Sequence, residues 1–295
     1  MLKIIEVPVK FTPKMPFSYP LHQKDSPMIE ERCMKYFIEN KEKISTKYVY
    51  LPIQWTAYHL INNYGKSLND LIYYYDSLIK KFPEHKFFTI VQYDGGTLIK
   101  LKNCKIFSCS GDFNSPLGKN SCYEPIPLIC DDHPKKSIVQ KKYKVIFCGR
   151  KTHTLREKMF LELKNLKDFF LYEAISNKFT NIDTQIFRYL INNSIFTLCP
   201  RGYGPTSFRL YESIQMKSIP IYISDKFWLP YEKEIEWSRF SLLINENQIG
   251  SIPQIVDNII KEKKYEQMIK EGQYIYEKYF TWESIIKNII KNIES

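Results

Sequence analysis

One stretch constrains the fold more than any other. Asn193 to Cys199 (NSIFTLC) is a short apolar run, Pro200 to Pro205 a loop punctuated by proline and glycine, Ser207 to Lys217 a helical segment, and Ile219 to Ser224 (IPIYIS) a second apolar run. Strand, helix and strand within about 30 residues make a βαβ unit, which implies a parallel sheet with a right-handed crossover. The chain is therefore expected in the α/β class.

Flanking segments extend the pattern. Lys144 to Cys148 (KVIFC) predicts a strand, followed by Gly149-Arg150 and a helix from Leu155. Upstream, apolar spacing predicts a helix over Asn69 to Lys81, stopped by Phe82-Pro83. A strand follows over Lys86 to Tyr93, running into Asp94-Gly95-Gly96, and another over Tyr123 to Cys130. Helices are expected over Ile252 to Glu262, Tyr265 to Lys278 and Trp282 to Asn292. The lysine-rich segment Lys135 to Lys144 is the expected linker, and no internal repeat is visible.

Composition narrows the function classes. The net charge of +11 predicts anionic partners. Its lysines are spread singly, which fits solubility better than a nucleic-acid footprint, so no nucleic-acid partner is expected. Seven cysteines without CxxC spacing and five scattered histidines offer no metal centre and suit a reducing compartment. No apolar run approaches a bilayer span and the first residues do not read as a signal peptide, so a soluble, cytoplasmic protein is expected.

The segment that carries chemistry is CPRGYGPTSFRLYE, Cys199 to Glu212. In an open parallel sheet, ligands sit beyond the carboxyl ends of the strands, where this loop falls. Gly202 lets the backbone approach a ligand, and Ser207 or Thr206 is placed to cap a helix whose free N–H groups and dipole attract an anion. Arg209 in the first turn and Arg201 in the loop are suited to phosphate oxygens. Glu212, three residues after Arg209, shares its helix face and suits vicinal sugar hydroxyls. The pattern is that of a nucleotide or nucleotide-sugar; the alternative is an ordinary Arg209–Glu212 ion pair on a helix surface.

The block from CPRG through the SFRLYE helix, IPIYISD, LPYE and IEWSRFS resembles the C-terminal region of exostosin-like (GT47-type) glycosyltransferases. FCGRKTHTLREKM resembles the strand–loop–helix that opens their donor domain. LPIQWTAYH and FFTIVQYDGG resemble the N-terminal half of small soluble bacterial and viral members. The resemblance implies a GT-B fold, two facing Rossmann-like domains with parallel sheets: residues 1–140 on the acceptor side, 141–280 binding the donor, and 281–295 as a helix packing back on the first. It implies an inverting glycosyltransferase moving a sugar from a nucleotide-sugar, a UDP-sugar such as UDP-xylose or UDP-galactose, to a glycan or glycoprotein acceptor. No D-x-D triplet occurs, so metal independence is expected, with no cofactor. A GDP-sugar (fucosyl-type) transferase and a non-catalytic GT-B-like glycan or nucleic-acid binder stand as alternatives.

On these residues, the resemblance implies that Glu212 binds the ribose and that Arg209 and Arg201 neutralise the diphosphate. Gly149, Arg150 and His153 would line the cleft, with Arg156 a second phosphate ligand; for His153 and Arg156 the alternative is helix capping and a surface ion pair. Asp225 would touch the donor or cap a turn. Inversion needs a general base for the acceptor hydroxyl. Asp94, after a buried strand, is the choice, against the alternative of a plain turn; Asp131, Asp132 and His133 are rivals. Trp55 and Thr56 are expected in an acceptor-side loop, where an aromatic ring either stacks on a sugar or packs in the core.

Overall fold

The computed structural model describes residues 1–15, 28–111, 122–133, 141–174 and 181–294. They form two compact units. Described residues up to Leu128, together with those from Trp282 onward, make the first; Ile129–Thr281 falls in the second.

The first unit runs β1 (Lys3–Ile4), α1 (Ile29–Asn40), β2 (Tyr48–Tyr50), α2 (Trp55–Ile61), α3 (Asn69–Lys81), β3 (Lys86–Val91), β4 (Cys104–Ser108) and β5 (Tyr123–Pro125). Its strands pair in parallel in the order β1-β2-β3-β4-β5. Central β3 is buried on both faces, as a parallel strand between helical layers must be. Successive side chains alternate: Phe87 packs with Leu71, Tyr75 and Leu78 of α3, and Phe88 meets Phe37 of α1 and stacks on Tyr50. Leu71, Tyr75 and Leu78 recur at helical spacing, so α3 keeps the bounds that its periodicity predicts. The strand expected over Tyr123 to Cys130 is shorter, ending at Pro125.

The second unit runs β6 (Tyr143–Gly149), α4 (Thr154–Leu163), β7 (Phe169–Glu173), α5 (Asn181–Asn192), β8 (Ser194–Pro200), α6 (Phe208–Gln215), β9 (Ile219–Ser224), β10 (Leu242–Asn245), α7 (Ile252–Lys261) and α8 (Tyr265–Ile275). All its strands are parallel, in the order β10-β9-β8-β6-β7. Val145 and Phe147 of β6 join one core with Leu155 and Met159 of α4; Ile146 and Cys148 face the other way, toward Leu190 and Ile191 of α5. The chain leaves β6 for β7 on one side and returns to β8 on the other. The carboxyl ends of β6 and β8 thus flank a topological switch point, the place where open α/β sheets bind ligands.

A final helix, α9 (Trp282–Glu294), belongs to the first unit. Trp282 meets the Tyr36 ring edge-on at 6.1 Å and lies under the Arg32 guanidinium at 4.8 Å. Lys105 Nζ donates to the Asn292 carbonyl and side-chain oxygens at 3.2 Å. Among the described residues no helix is long and apolar enough to cross a membrane. Of the expected linker Lys135 to Lys144, residues 135–140 lie outside the described residues, and Tyr143 already starts β6.

Candidate active site

The site is built where β6 and β8 end. Ser207 holds the N-cap position of α6 with extended backbone (φ −155°, ψ 154°), but no side chain caps this helix. Among the described residues, the Ser207 hydroxyl and that of Thr206, a residue only 3% exposed, make no hydrogen bond. This corrects the expectation of a Ser207 or Thr206 cap. The positive end of α6 and two unspent hydroxyl groups lie together where the phosphate-binding loop was expected.

Arg209, half-buried, turns back onto β6. Its Nε and Nη2 donate to the Cys148 carbonyl at 3.1 and 2.6 Å, and its guanidinium lies 4.6 Å from the Phe147 ring centre. Nη1 makes no hydrogen bond among the described residues. A Cβ on Gly149 would come within 2.2 Å of Arg209 Nη2, so glycine at the end of β6 is what leaves room for the guanidinium. Glu212, one turn on, is buried, and its Oε1 lies 3.2 Å from His133 Nε2. Arg209 and Glu212 thus reach for different partners, contrary to the surface ion pair held open as an alternative.

Other expected ligands are spent on the scaffold. Arg156 is buried; its Nε, Nη1 and Nη2 donate to the carbonyls of Arg201, Arg150 and Pro200 at 2.8, 2.8 and 3.2 Å. It braces the end of β8 against the loop after β6. Half-buried Arg150 supplies one of those carbonyls. Arg201, also buried, pairs with Asp225 at 2.5 Å and donates to the Tyr203 carbonyl at 2.9 Å. Burial pushes the Asp225 carboxyl up, but the Arg201 guanidinium outweighs it and the net shift is downward. Arg201 thus partners Asp225, while its buried Nε makes no hydrogen bond among the described residues. Gly202 sits beside this brace, its missing Cβ 3.4 Å from Arg156 Nη2. His153 caps α4, its Nδ1 accepting from the Leu155 N–H at 3.1 Å; burial and then the Arg201 charge hold its ring below the ordinary histidine value. Burial pushes the Cys199 thiol up to about 12, so the cysteine of CPRG is no nucleophile at neutral pH.

Asp131, Asp132 and His133, expected on the acceptor side, belong to the second unit. Asp131 is half-buried, Asp132 exposed, and His133 buried against α6. In the first unit, Trp55 and Thr56 open helix α2 instead of a loop, and both are fully buried. Trp55 Nε1–H donates to Thr89 Oγ1 at 2.8 Å, which makes it core packing and not a sugar platform. Asp94 follows β3, half-buried, and accepts from the Ser110 hydroxyl at 3.2 Å.

Two groups carry geometry that the sequence reading missed. Arg188 on α5 donates from Nε to His133 Nδ1 at 3.0 Å. Glu30, in the first turn of α1 and 1% exposed, accepts from the Thr56 N–H and hydroxyl and from the Gln92 N–H at 2.8 Å, while Gln92 Oε1 accepts from the Ile29 N–H. This clamp ends two residues before Asp94. The spacing Glu30, Cys33, Phe37 puts Glu30 on the buried stripe of α1, a signal available to periodicity.

Burial pushes the Glu30 carboxyl up to about 7 from an ordinary 4.5, against the N–H and O–H donors that favour its anion. Between those values the folded chain keeps a proton that the unfolded chain releases, so stability falls as pH rises from about 4.5 to 7. The contribution lost is about 3 kcal/mol. Denaturant unfolding at pH 5 and pH 8 is expected to show this loss in the wild type and to show it removed in Glu30→Gln. Equal pH slopes in the two proteins would contradict the assignment.

Comparison with known proteins finds likeness over the same segment. Residues 116–259 match the exostosin GT47 domain family. The chain is 33% identical over 98 residues to Exostosin-1 of Drosophila melanogaster, covering 33% of this chain and 13% of that one. It is 30% identical over 112 residues to Exostosin-1b of Danio rerio, covering 38% of this chain and 15% of the relative. The chain thus spans well under a fifth of the length of these relatives. Among solved structures, it resembles a glycosyltransferase from Rickettsia africae with a TM-score of 0.44 and 11% identity, over 91% of this chain and 82% of that one. Residues 116–259, the segment that holds Arg209 and Glu212, are thus similar to the exostosin GT47 domain.

Proposed function

We propose that the chain transfers a sugar, with inversion and without a metal, from a UDP-sugar such as UDP-xylose or UDP-galactose to a glycan or glycoprotein acceptor. The observation that carries this reading is the α6 terminus: an uncapped helix start, unpartnered Thr206 and Ser207 hydroxyls, and the Arg209 guanidinium beside them at a switch point. These are donors for a diphosphate. Glu212, a turn further along, is the acceptor for ribose hydroxyls.

In the proposed reaction the second unit holds the donor, and Asp94 is the proposed base for the acceptor hydroxyl. The oxygen attacks the anomeric carbon from the face opposite the diphosphate. The bond from that carbon to the diphosphate oxygen breaks, and UDP leaves with the electron pair. Its growing charge meets Arg209 and the N–H groups of α6, preorganised donors of the kind that lower such barriers most. Arg156 and the Arg201–Asp225 pair keep the loop after β8 in place. All seven cysteines are free, which suits the cytoplasm.

A hydrolysis and transfer screen across common UDP- and GDP-sugars tests the reading. Turnover is expected with a UDP-sugar. Turnover with GDP-sugars alone would replace the donor assignment, and none with either class would favour a non-catalytic binder.

A further inference from the structure

We infer that His133 and Arg188 form a relay that aims Glu212, making both of them positioning residues for the ribose of the bound nucleotide. The inference rests on the reading of Glu212 as the ribose-binding carboxylate.

Donor and acceptor chemistry fixes the orientation of the imidazole. A guanidinium nitrogen only donates. Arg188 Nε–H points at His133 Nδ1 at 3.0 Å, so Nδ1 presents its lone pair. Nε2, 3.2 Å from Glu212 Oε1, then carries the N–H and donates it to the carboxylate. The opposite tautomer would set an N–H against the Arg188 N–H and a lone pair against the carboxylate. Arg188 therefore decides which face the imidazole shows to Glu212.

The ring is also anchored through its backbone. His133 N–H donates to Gln215 Oε1 at 3.2 Å, one turn beyond Glu212 on α6, and Gln215 Nε2 donates to the Tyr276 hydroxyl at 2.8 Å. Phe187, the neighbour of Arg188 on α5, lies 6.4 Å from the His133 ring and 6.0 Å from the Arg209 guanidinium. One turn of α5 thus touches the supports of both the carboxylate and the guanidinium. Glu212 is 2% exposed. The imidazole N–H is a fixed donor to this buried carboxylate and gives it a defined direction. An outer group that orients the group touching the ligand is a common way to hold a site to sub-ångström tolerance.

The test separates aiming from mere support. Calorimetry on the whole chain measures UDP, 2′-deoxy-UDP and 3′-deoxy-UDP against the wild type, Glu212→Gln, His133→Phe and Arg188→Met. The wild type is expected to prefer UDP over at least one deoxy form by about tenfold or more, the cost of a lost hydrogen bond to a charged group. His133→Phe and Arg188→Met are each expected to cut that ratio at least about threefold while leaving affinity for the deoxy form unchanged. Arg188 is half-buried, so Arg188→Met carries the test if His133→Phe does not fold. A ratio that stays at the wild-type value in Arg188→Met but collapses in Glu212→Gln overturns the relay and keeps the ribose reading. No UDP binding by the wild type, no preference for UDP, or a preference untouched in Glu212→Gln overturns the ribose reading and the relay with it.

Discussion

Asp94→Asn is expected to lower sugar transfer by about 10²–10⁴-fold, the usual worth of a general base, while UDP binds as before. The substitution keeps the size of the side chain and an oxygen for the Ser110 hydroxyl, which donates to Asp94 at 3.2 Å. What it removes is the capacity to take a proton. The loop that carries Asp94 is held from two sides: Ser110 on one, and on the other the reciprocal clamp between α1 and the end of β3, where Gln92 N–H meets Glu30. Asparagine is thus expected to sit where aspartate sat, and the lost rate reports chemistry and not a displaced loop. Initial rates of product formation, with UDP calorimetry as control, check this. Transfer within tenfold of wild type would place the base elsewhere.

Arg209→Ala is the second large effect. Transfer is expected to fall about 10²–10³-fold, the usual cost of removing one preorganised donor to a leaving group, and UDP affinity to fall with it. Lysine is expected to rescue poorly, because Nε and Nη2 both reach the Cys148 carbonyl and an ammonium cannot repeat that fork while also facing a phosphate. Gly149→Ala is expected to reproduce the defect in milder form. Its new methyl group competes with Arg209 Nη2 for the same space, and the flexible arginine yields first. Wild-type UDP affinity in both Arg209→Ala and Gly149→Ala would remove Arg209 from the site.

What the sequence made legible is what one element carries by itself. The βαβ unit around CPRG declared a parallel sheet, and β9 spans Ile219–Ser224 as its composition predicts. Arg209 and Glu212 ride one short helix, so their separation by a turn needed only the helical period. Helix α1 was missed because its stripe is narrow: Ile29, Cys33 and Phe37 recur singly among charged neighbours. Side-chain destinations were legible least. An arginine serves a carbonyl or carboxylate as readily as a phosphate, and the sequence does not show that Arg156 and Arg201 also meet protein oxygens. His133 stands 55 residues from Arg188 and 79 from Glu212, and only the folded chain brings the three together.

A crystal structure of the chain soaked with UDP measures directly where the nucleotide binds. The predicted result has diphosphate oxygens on Arg209 and on the first N–H groups of α6, with ribose hydroxyls at Glu212. A nucleotide bound elsewhere on the second unit, with those groups untouched, would contradict it.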